Sequence, residues 1–238
     1  GQFRMKSTDV LVQRLEKAAL QNLISKKFKL NVSVYLDAYD VDRLIGYASV
    51  LSLSDHSSEL SLAYEIITRI LECSDSIDSG VVSAAEIILS RIGNFPGRSL
   101  LRERYDGGRS GSVPPILRLE AIAREAENTV FTGDGDDDSQ LLTDFQYRLF
   151  KLLSSESSLS VSAPTSAGKS FVLSINLMDK IRKGNKQSIV YVVPTRALIS
   201  EVSSRIRASL KKNGLSGVVV RTAPFPVPEE KIDLAAVY

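Results

Sequence analysis

Leu159-Ser160-Val161-Ser162-Ala163-Pro164-Thr165-Ser166-Ala167-Gly168-Lys169-Ser170 reads as a short strand, a bend of small side chains and the opening of a helix. The strand runs from Leu159 to Ala163, and the helix continues from Ser170 to Lys183. Small residues at Thr165, Ser166, Ala167 and Gly168 let the backbone curl, so several N–H groups converge while the next helix aims its positive end at the same point. Lys169 adds an ammonium and Ser170 a hydroxyl. Such a bend suits a row of phosphates: amides and Lys169 meet the negative charge, and Ser170 is placed to hold Mg²⁺ through the bound nucleotide. The general pattern opens on glycine where this chain has Ala163, but the strand before and the helix after supply the context it needs.

The alternation extends outward. Leu141 to Leu153 reads as a helix, Ser188 to Val193 as a strongly apolar strand and Ala197 to Lys212 as a helix. Gly217 to Arg221 reads as a further strand, and Asp233 to Tyr238 as the start of another. Strands alternating with helices imply crossover units and a parallel sheet. Such a sheet is covered on both faces, which accounts for a continuous apolar run such as Ile189-Val190-Tyr191-Val192-Val193.

Before residue 139 the periodicity is helical. Thr8 is a candidate N-cap for a helix reaching about Lys26, with Val10, Leu11, Leu15, Ala18 and Ala19 near one face. Val32, Val34 and Leu36 alternate briefly before helical spacing returns from Asp37 to Leu53. Ser58 to Cys73 carries the clearest stripe, Leu60, Ala63, Ile67 and Ile70, widened by Ile66 and Leu71. Gly80 to Ile92 repeats it, and Gly93-Asn94-Phe95-Pro96-Gly97 stops it. Pro115 to Asn128 is another helix with proline in its first turn. Between them, Asp106 to Pro115 is loop chemistry, a flexible linker. Thr132 to Asp138 is an acidic turn, and it fails as a calcium loop because its twelfth position from Asp134 is Phe145. The expected fold class is therefore α/β: an all-helical domain over 1–131, an acidic linker over 132–138, and a partial lobe with a parallel sheet over 139–238.

Composition bounds the rest. A net charge of +2 and a charged fraction of 24% exclude a uniformly basic nucleic-acid binder, so any basic surface must be local. Lys180, Arg182, Lys183, Lys186, Arg205, Arg207, Lys211 and Lys212 read mostly as a solvated helix face. The single cysteine, Cys73, closes an apolar stripe and reads as a core thiol; one cysteine forms no intrachain disulfide and suits the cytoplasm. His56 has no histidine or cysteine partner nearby in sequence and reads as a loop residue. No apolar run is long enough for a membrane span.

Ala163-Pro164-Thr165-Ser166-Ala167-Gly168-Lys169-Ser170 resembles motif I of superfamily-two helicases, and its Thr-Ser-Ala-Gly-Lys form is similar to the superkiller-type DExH helicases. Asp144-Phe145-Gln146, one helix and one strand earlier, resembles the Q motif of that family. Pro194-Thr195-Arg196-Ala197-Leu198, at a strand-to-helix junction, resembles motif Ia. The resemblance covers about residues 139–238 and implies the first RecA-like lobe of an ATP-dependent nucleic-acid helicase or translocase.

It also implies roles. ATP and Mg²⁺ are the cofactors, with Gln146 on the adenine edge, Thr165, Ser166, Ala167, Gly168 and Lys169 on the phosphates, and Ser170 on the metal. Pro194, Thr195, Arg196 and Thr222 would hold the backbone of single-stranded or duplex nucleic acid without reading its sequence. At Thr222 the chain departs from the family's Thr-Gly-Asp, reading Thr222-Ala223-Pro224. No Asp-Glu-x-His or Asp-Glu-Ala-Asp box occurs, so the carboxylates for hydrolysis are missing and the chain reads as a fragment without turnover of its own. A helical domain ahead of a motor lobe is also similar in layout to the helicase subunit of the Hachiman antiphage system. That layout implies a protein partner docked on residues 1–131, and in the rival reading the whole chain is such an interaction module.

Overall fold

The structure, a computed structural model, describes residues 2–73, 77–105, 113–131, 139–155, 158–184, 188–215, 217–222 and 236–237. The readings of residues 106–112 as linker and 132–138 as acidic turn fall outside these. The chain divides into two compact units, one of Gly1–Thr129 with Leu141–Asp144 and one of Val130–Gln140 with Phe145–Tyr238.

The first unit is helical: α1 (Gln2–Phe28), α2 (Ala38–Leu51), α3 (Ser57–Cys73), α4 (Ser79–Arg91), α5 (Phe95–Arg104) and α6 (Pro115–Asn128). Its core joins Leu11, Leu15 and Ala18 of α1 to Leu44 and Ala48 of α2, and the Ile66, Ile67 and Ile70 stripe of α3 to Ala85, Ile88 and Leu89 of α4. Fully burying one such side chain contributes about 1.5–3 kcal/mol, so the stripe on α3 holds much of the unit together. Cys73 ends that stripe as a buried free thiol, and burial pushes its pKa up.

Caps set the helix starts. Asp37 accepts from the Asp40 N–H at 2.8 Å, and Asp78 from the Gly80 and Val81 N–H groups at 2.7 and 2.9 Å. Thr8, expected as a cap, lies inside α1, which has no breaker ahead of it and begins at Gln2. The 32–36 alternation forms no strand; instead Asn22 of α1 pins Val34, donating to its carbonyl at 2.9 Å and accepting from its N–H at 2.7 Å.

α4 ends at Arg91, just before the Gly93–Gly97 stop, and α5 begins within that stop at Phe95. Asn94 accepts from the Gly97 N–H at 3.0 Å, and Pro96 stands in the first turn, where its missing N–H has no intrahelical acceptor to lose. Gly93, at φ +67°, makes the turn between α4 and α5. Arg98 of α5 is buried, donates to Ser90 Oγ at 2.9 Å, pairs with Glu125 of α6 and lies over the Phe95 ring.

Segment 141–144 closes this unit. Leu142 is fully buried, its N–H donating to the Asn128 carbonyl at 2.9 Å. Asp144 accepts from Arg124 Nη2 and Asn128 Nδ2, each at 2.7 Å, and its carboxylate fills the space a Cβ on Gly93 would need.

The second unit contains, apart from the terminal residues Thr129, Leu141 and Asp144, β1 (Thr129–Phe131) paired with β2 (Ser139–Leu141), then α7 (Asp144–Ser155), α8 (Lys169–Arg182), α9 (Arg196–Lys212), β3 (Val219–Val220) and β4 (Ala236–Val237). Residues 129–131 and 139–141 were not expected to be strands, and α7 starts three residues later than the reading from Leu141. Leu177, Met178 and Ile181 of α8 pack on Ile206 and Leu210 of α9.

The expected parallel sheet is reduced. Among the described residues its parallel pairing is β3 with β4, two residues each, Val219 opposite Ala236 and Val220 opposite Val237. Residues 159–163 and 190–193 carry no ladder, and Ile189 makes an isolated bridge. An apolar run becomes a strand only when neighbours accept its N–H and C=O groups. Here Val190 and Val192 remain exposed.

Candidate functional site

The bend foreseen at 163–170 is formed. Thr165–Ala167 is a single 3₁₀ turn closed by the Ala167 N–H on the Pro164 carbonyl at 3.1 Å. Gly168 then takes the left-handed conformation, φ +79° and ψ +26°, which glycine adopts without a Cβ penalty. α8 begins at Lys169 with no side-chain cap and no acidic residue in its first turn. The leading amides of a helix have no intrahelical acceptors, so this end presents donors and a partial positive charge.

Two side chains close on the bend. Lys169 Nζ donates to the Ala163 carbonyl and, at 2.9 Å, to the Pro164 carbonyl. Gln146, in the first turn of α7, donates from Nε2 to the Ala167 carbonyl at 3.3 Å. The same Nε2 occupies the space that a Cβ on Gly168 would take, so a side chain at 168 would displace the glutamine amide. α7 and α8 are also joined by Asn176 Nδ2, which donates to Ser154 Oγ at 3.1 Å.

Gln146, Ala167, Gly168 and Lys169 thus form one half-buried bonded cluster, with Thr165, Ser166 and Ser170 exposed around it. The residues fit a polyphosphate: small side chains, an uncapped helix start, an ammonium now satisfied only by loop carbonyls, and a hydroxyl at Ser170. Among the described residues no group of three or more His, Cys, Asp or Glu side chains stands ready for a metal ion.

The other expected site residues lie elsewhere in this unit. Pro194, Thr195 and Arg196 are exposed at the start of α9, where Thr195 is the N-cap and accepts from the Leu198 N–H at 3.4 Å. Thr222 lines an apolar groove of about 230 Å³ with Val190, Val193, Ile206 and Val220. Phe131 and Phe145 are 69% and 36% exposed.

Sequence reasoning missed two features. Asp144, grouped with Phe145 and Gln146, belongs to the helical unit and is held by Arg124 and Asn128. The Gln146–Ala167 bond was also unforeseen, because spacing alone does not say which carbonyl a side-chain amide meets.

Residues 143–231 match the family model of the DEAD/DEAH box helicases. That match supports a helicase superfamily for this part of the chain, and it spans the 163–170 bend, Gln146, Pro194–Arg196 and Thr222. No curated protein and no solved structure matches the chain.

Proposed function

We propose that residues 139–238 are the nucleotide-binding part of an ATP-dependent helicase or translocase of the DExH type. The observation that carries this is the bonded cluster of Gln146, Ala167, Gly168 and Lys169 at the uncapped start of α8. The backbone of Thr165–Gly168 and the ammonium of Lys169 bind the phosphates, Ser170 holds Mg²⁺ and Gln146 faces the base. Bound Mg²⁺ supplies charge neutralisation at the phosphates. Lys169 must leave the Ala163 and Pro164 carbonyls to reach a ligand, so binding exchanges ammonium–carbonyl hydrogen bonds for ammonium–phosphate ones, in which both partners are charged. The 238 residues lack the carboxylate box, so the chain binds nucleotide without turning it over.

Arg196 and the amides at the start of α9 serve the nucleic-acid backbone. Thr195 is occupied as a cap, so its contribution there is the placement of that helix end, and Thr222 contributes through its side of the groove. A helical unit ahead of such a lobe is also the layout of a Hachiman-type antiphage subunit.

Fluorescent ATP with Mg²⁺, titrated with the chain and followed by anisotropy, tests the nucleotide reading. Lys169→Ala should weaken binding at least tenfold; equal affinity would remove the role given to Lys169.

A second reading, docking of a protein partner by the helical unit, has one observation in its favour. Leu20, Leu23 and Phe28 of α1, with Leu30 and Val32 after it, are exposed, whereas Leu11 and Leu15 are buried. Leu23→Ser with Phe28→Ser should abolish co-purification of a partner with the parent protein while leaving the fold intact; unchanged recovery would reject the docking face.

A further inference from the structure

We infer that Gln146 is a positioning residue for the phosphate cradle itself, acting whatever base the nucleotide carries. The inference rests on reading 163–170 as that cradle. It starts from the bond between Gln146 Nε2 and the Ala167 carbonyl, 3.3 Å, and from the close fit of the same nitrogen over Gly168. A trans peptide is planar, with its C=O and N–H pointing to opposite sides. Fixing the Ala167 carbonyl from one side therefore fixes the Gly168 N–H toward the other side.

That amide lies between the 3₁₀ turn and the first residue of α8, at the centre of the curl. Gly168 is also the residue with the widest backbone freedom in the loop, because without a Cβ it enters and leaves the left-handed conformation readily. Without an external hold the 167–168 peptide can flip, and the amide would turn away from an anion.

Lys169 and Gln146 hold different ends of the bend, the first at Ala163 and Pro164, the second at Ala167. Their fates on ligand binding differ. Lys169 changes partners, because its ammonium is needed on the ligand. Gln146 keeps its bond, because it approaches the peptide from the side opposite the donor. The bond to the Ala167 carbonyl uses one N–H of the side chain and involves no part of a base. Base recognition and loop positioning are then separable functions of one side chain, and the second predicts an effect on ligands that have no base.

The test is calorimetric titration of the 238-residue chain with Mg²⁺–tripolyphosphate and with Mg²⁺–ATP. The proteins compared are wild type, Gln146→Glu, Gln146→Ala and Lys169→Ala, with far-UV dichroism and thermal midpoints as fold controls. Gln146→Glu is near-isosteric but presents an oxygen to the Ala167 carbonyl. Both Gln146 variants should bind tripolyphosphate about fivefold more weakly than wild type, the scale of one net hydrogen bond. The Gly168 amide resonance of ligand-free Gln146→Glu should shift as well, an effect that loss of base recognition alone does not produce.

Tripolyphosphate affinity equal to wild type, with only ATP weakened, overturns the inference and leaves Gln146 as a base reader. Loss of tripolyphosphate binding in Lys169→Ala, with no change in either Gln146 variant, overturns it while sparing the cradle. Failure of the wild-type chain to bind either ligand overturns the cradle reading, and the inference with it.

Discussion

Gly93→Ala is a sharp test of how the helical unit is closed. Gly93 sits at φ +67°, so alanine there carries the left-handed penalty of about 1–2 kcal/mol. A Cβ at this position also overlaps the Asp144 carboxylate. Either the backbone of the α4–α5 turn shifts or Asp144 leaves Arg124 and Asn128. Asp144 is 44% exposed, so that network is screened by water and contributes only about 1–2 kcal/mol.

The total is then roughly 2–4 kcal/mol, against about 1–2 kcal/mol for Gly184→Ala, which has the same backbone sign at φ +73° but open space around it. Urea unfolding with linear extrapolation measures both. Repeating Gly93→Ala in an Asp144→Ala background should reduce its cost to that of Gly184→Ala, because the overlapping carboxylate is gone. If Gly93→Ala costs no more than Gly184→Ala, or costs the same with and without Asp144, the closure described here is wrong.

Two further outcomes concern the same unit. Arg98→Ala should destabilise it by about 3 kcal/mol in thermal or urea unfolding, because it strips Glu125 and Ser90 of a buried partner, whereas Arg98→Met, which keeps the packing on Phe95, should cost less. Glu120 has its pKa lowered first by its hydrogen bond from Arg91, with Nε donating to Oε1 at 2.6 Å. A lowered folded pKa means stability that is present above the unfolded value of about 4.3 and is lost as pH falls through the folded value. The stability gap between wild type and Glu120→Gln, measured by urea unfolding from pH 7 to pH 3, should therefore close on the acid side; a gap that widens there would contradict it.

Helices with a one-sided stripe were legible from residues alone. Ile66, Ile67 and Ile70 are buried in α3 because periodicity is local, whereas the caps Asp37 and Asp78 were not singled out and Thr8, which was, lies inside α1. The stop at 93–97 does end α4, but the helix that starts within it was missed, since Phe95-Pro96-Gly97 looks only like a breaker until Asn94 is seen to cap it. Around Gly168 the bend and the helix are present, whereas the strand expected before it forms no ladder. Ladder partners are distant in sequence, and an apolar run such as 189–193 does not name its neighbours. Asp144 illustrates the same limit. Its adjacency to Gln146 suggested a shared role, but its carboxylate answers to Gly93, Arg124 and Asn128, which no spacing rule connects to it.

The most direct measurement of the central claim is a ¹H–¹⁵N correlation spectrum of the chain titrated with Mg²⁺–ATP. Saturating shifts should be largest at the Thr165–Ser170 amides and at the side-chain amide of Gln146, reporting capture of phosphates at the start of α8. Saturation with those signals unmoved and the shifts gathered instead along the groove of Val190, Val220 and Thr222 would contradict it.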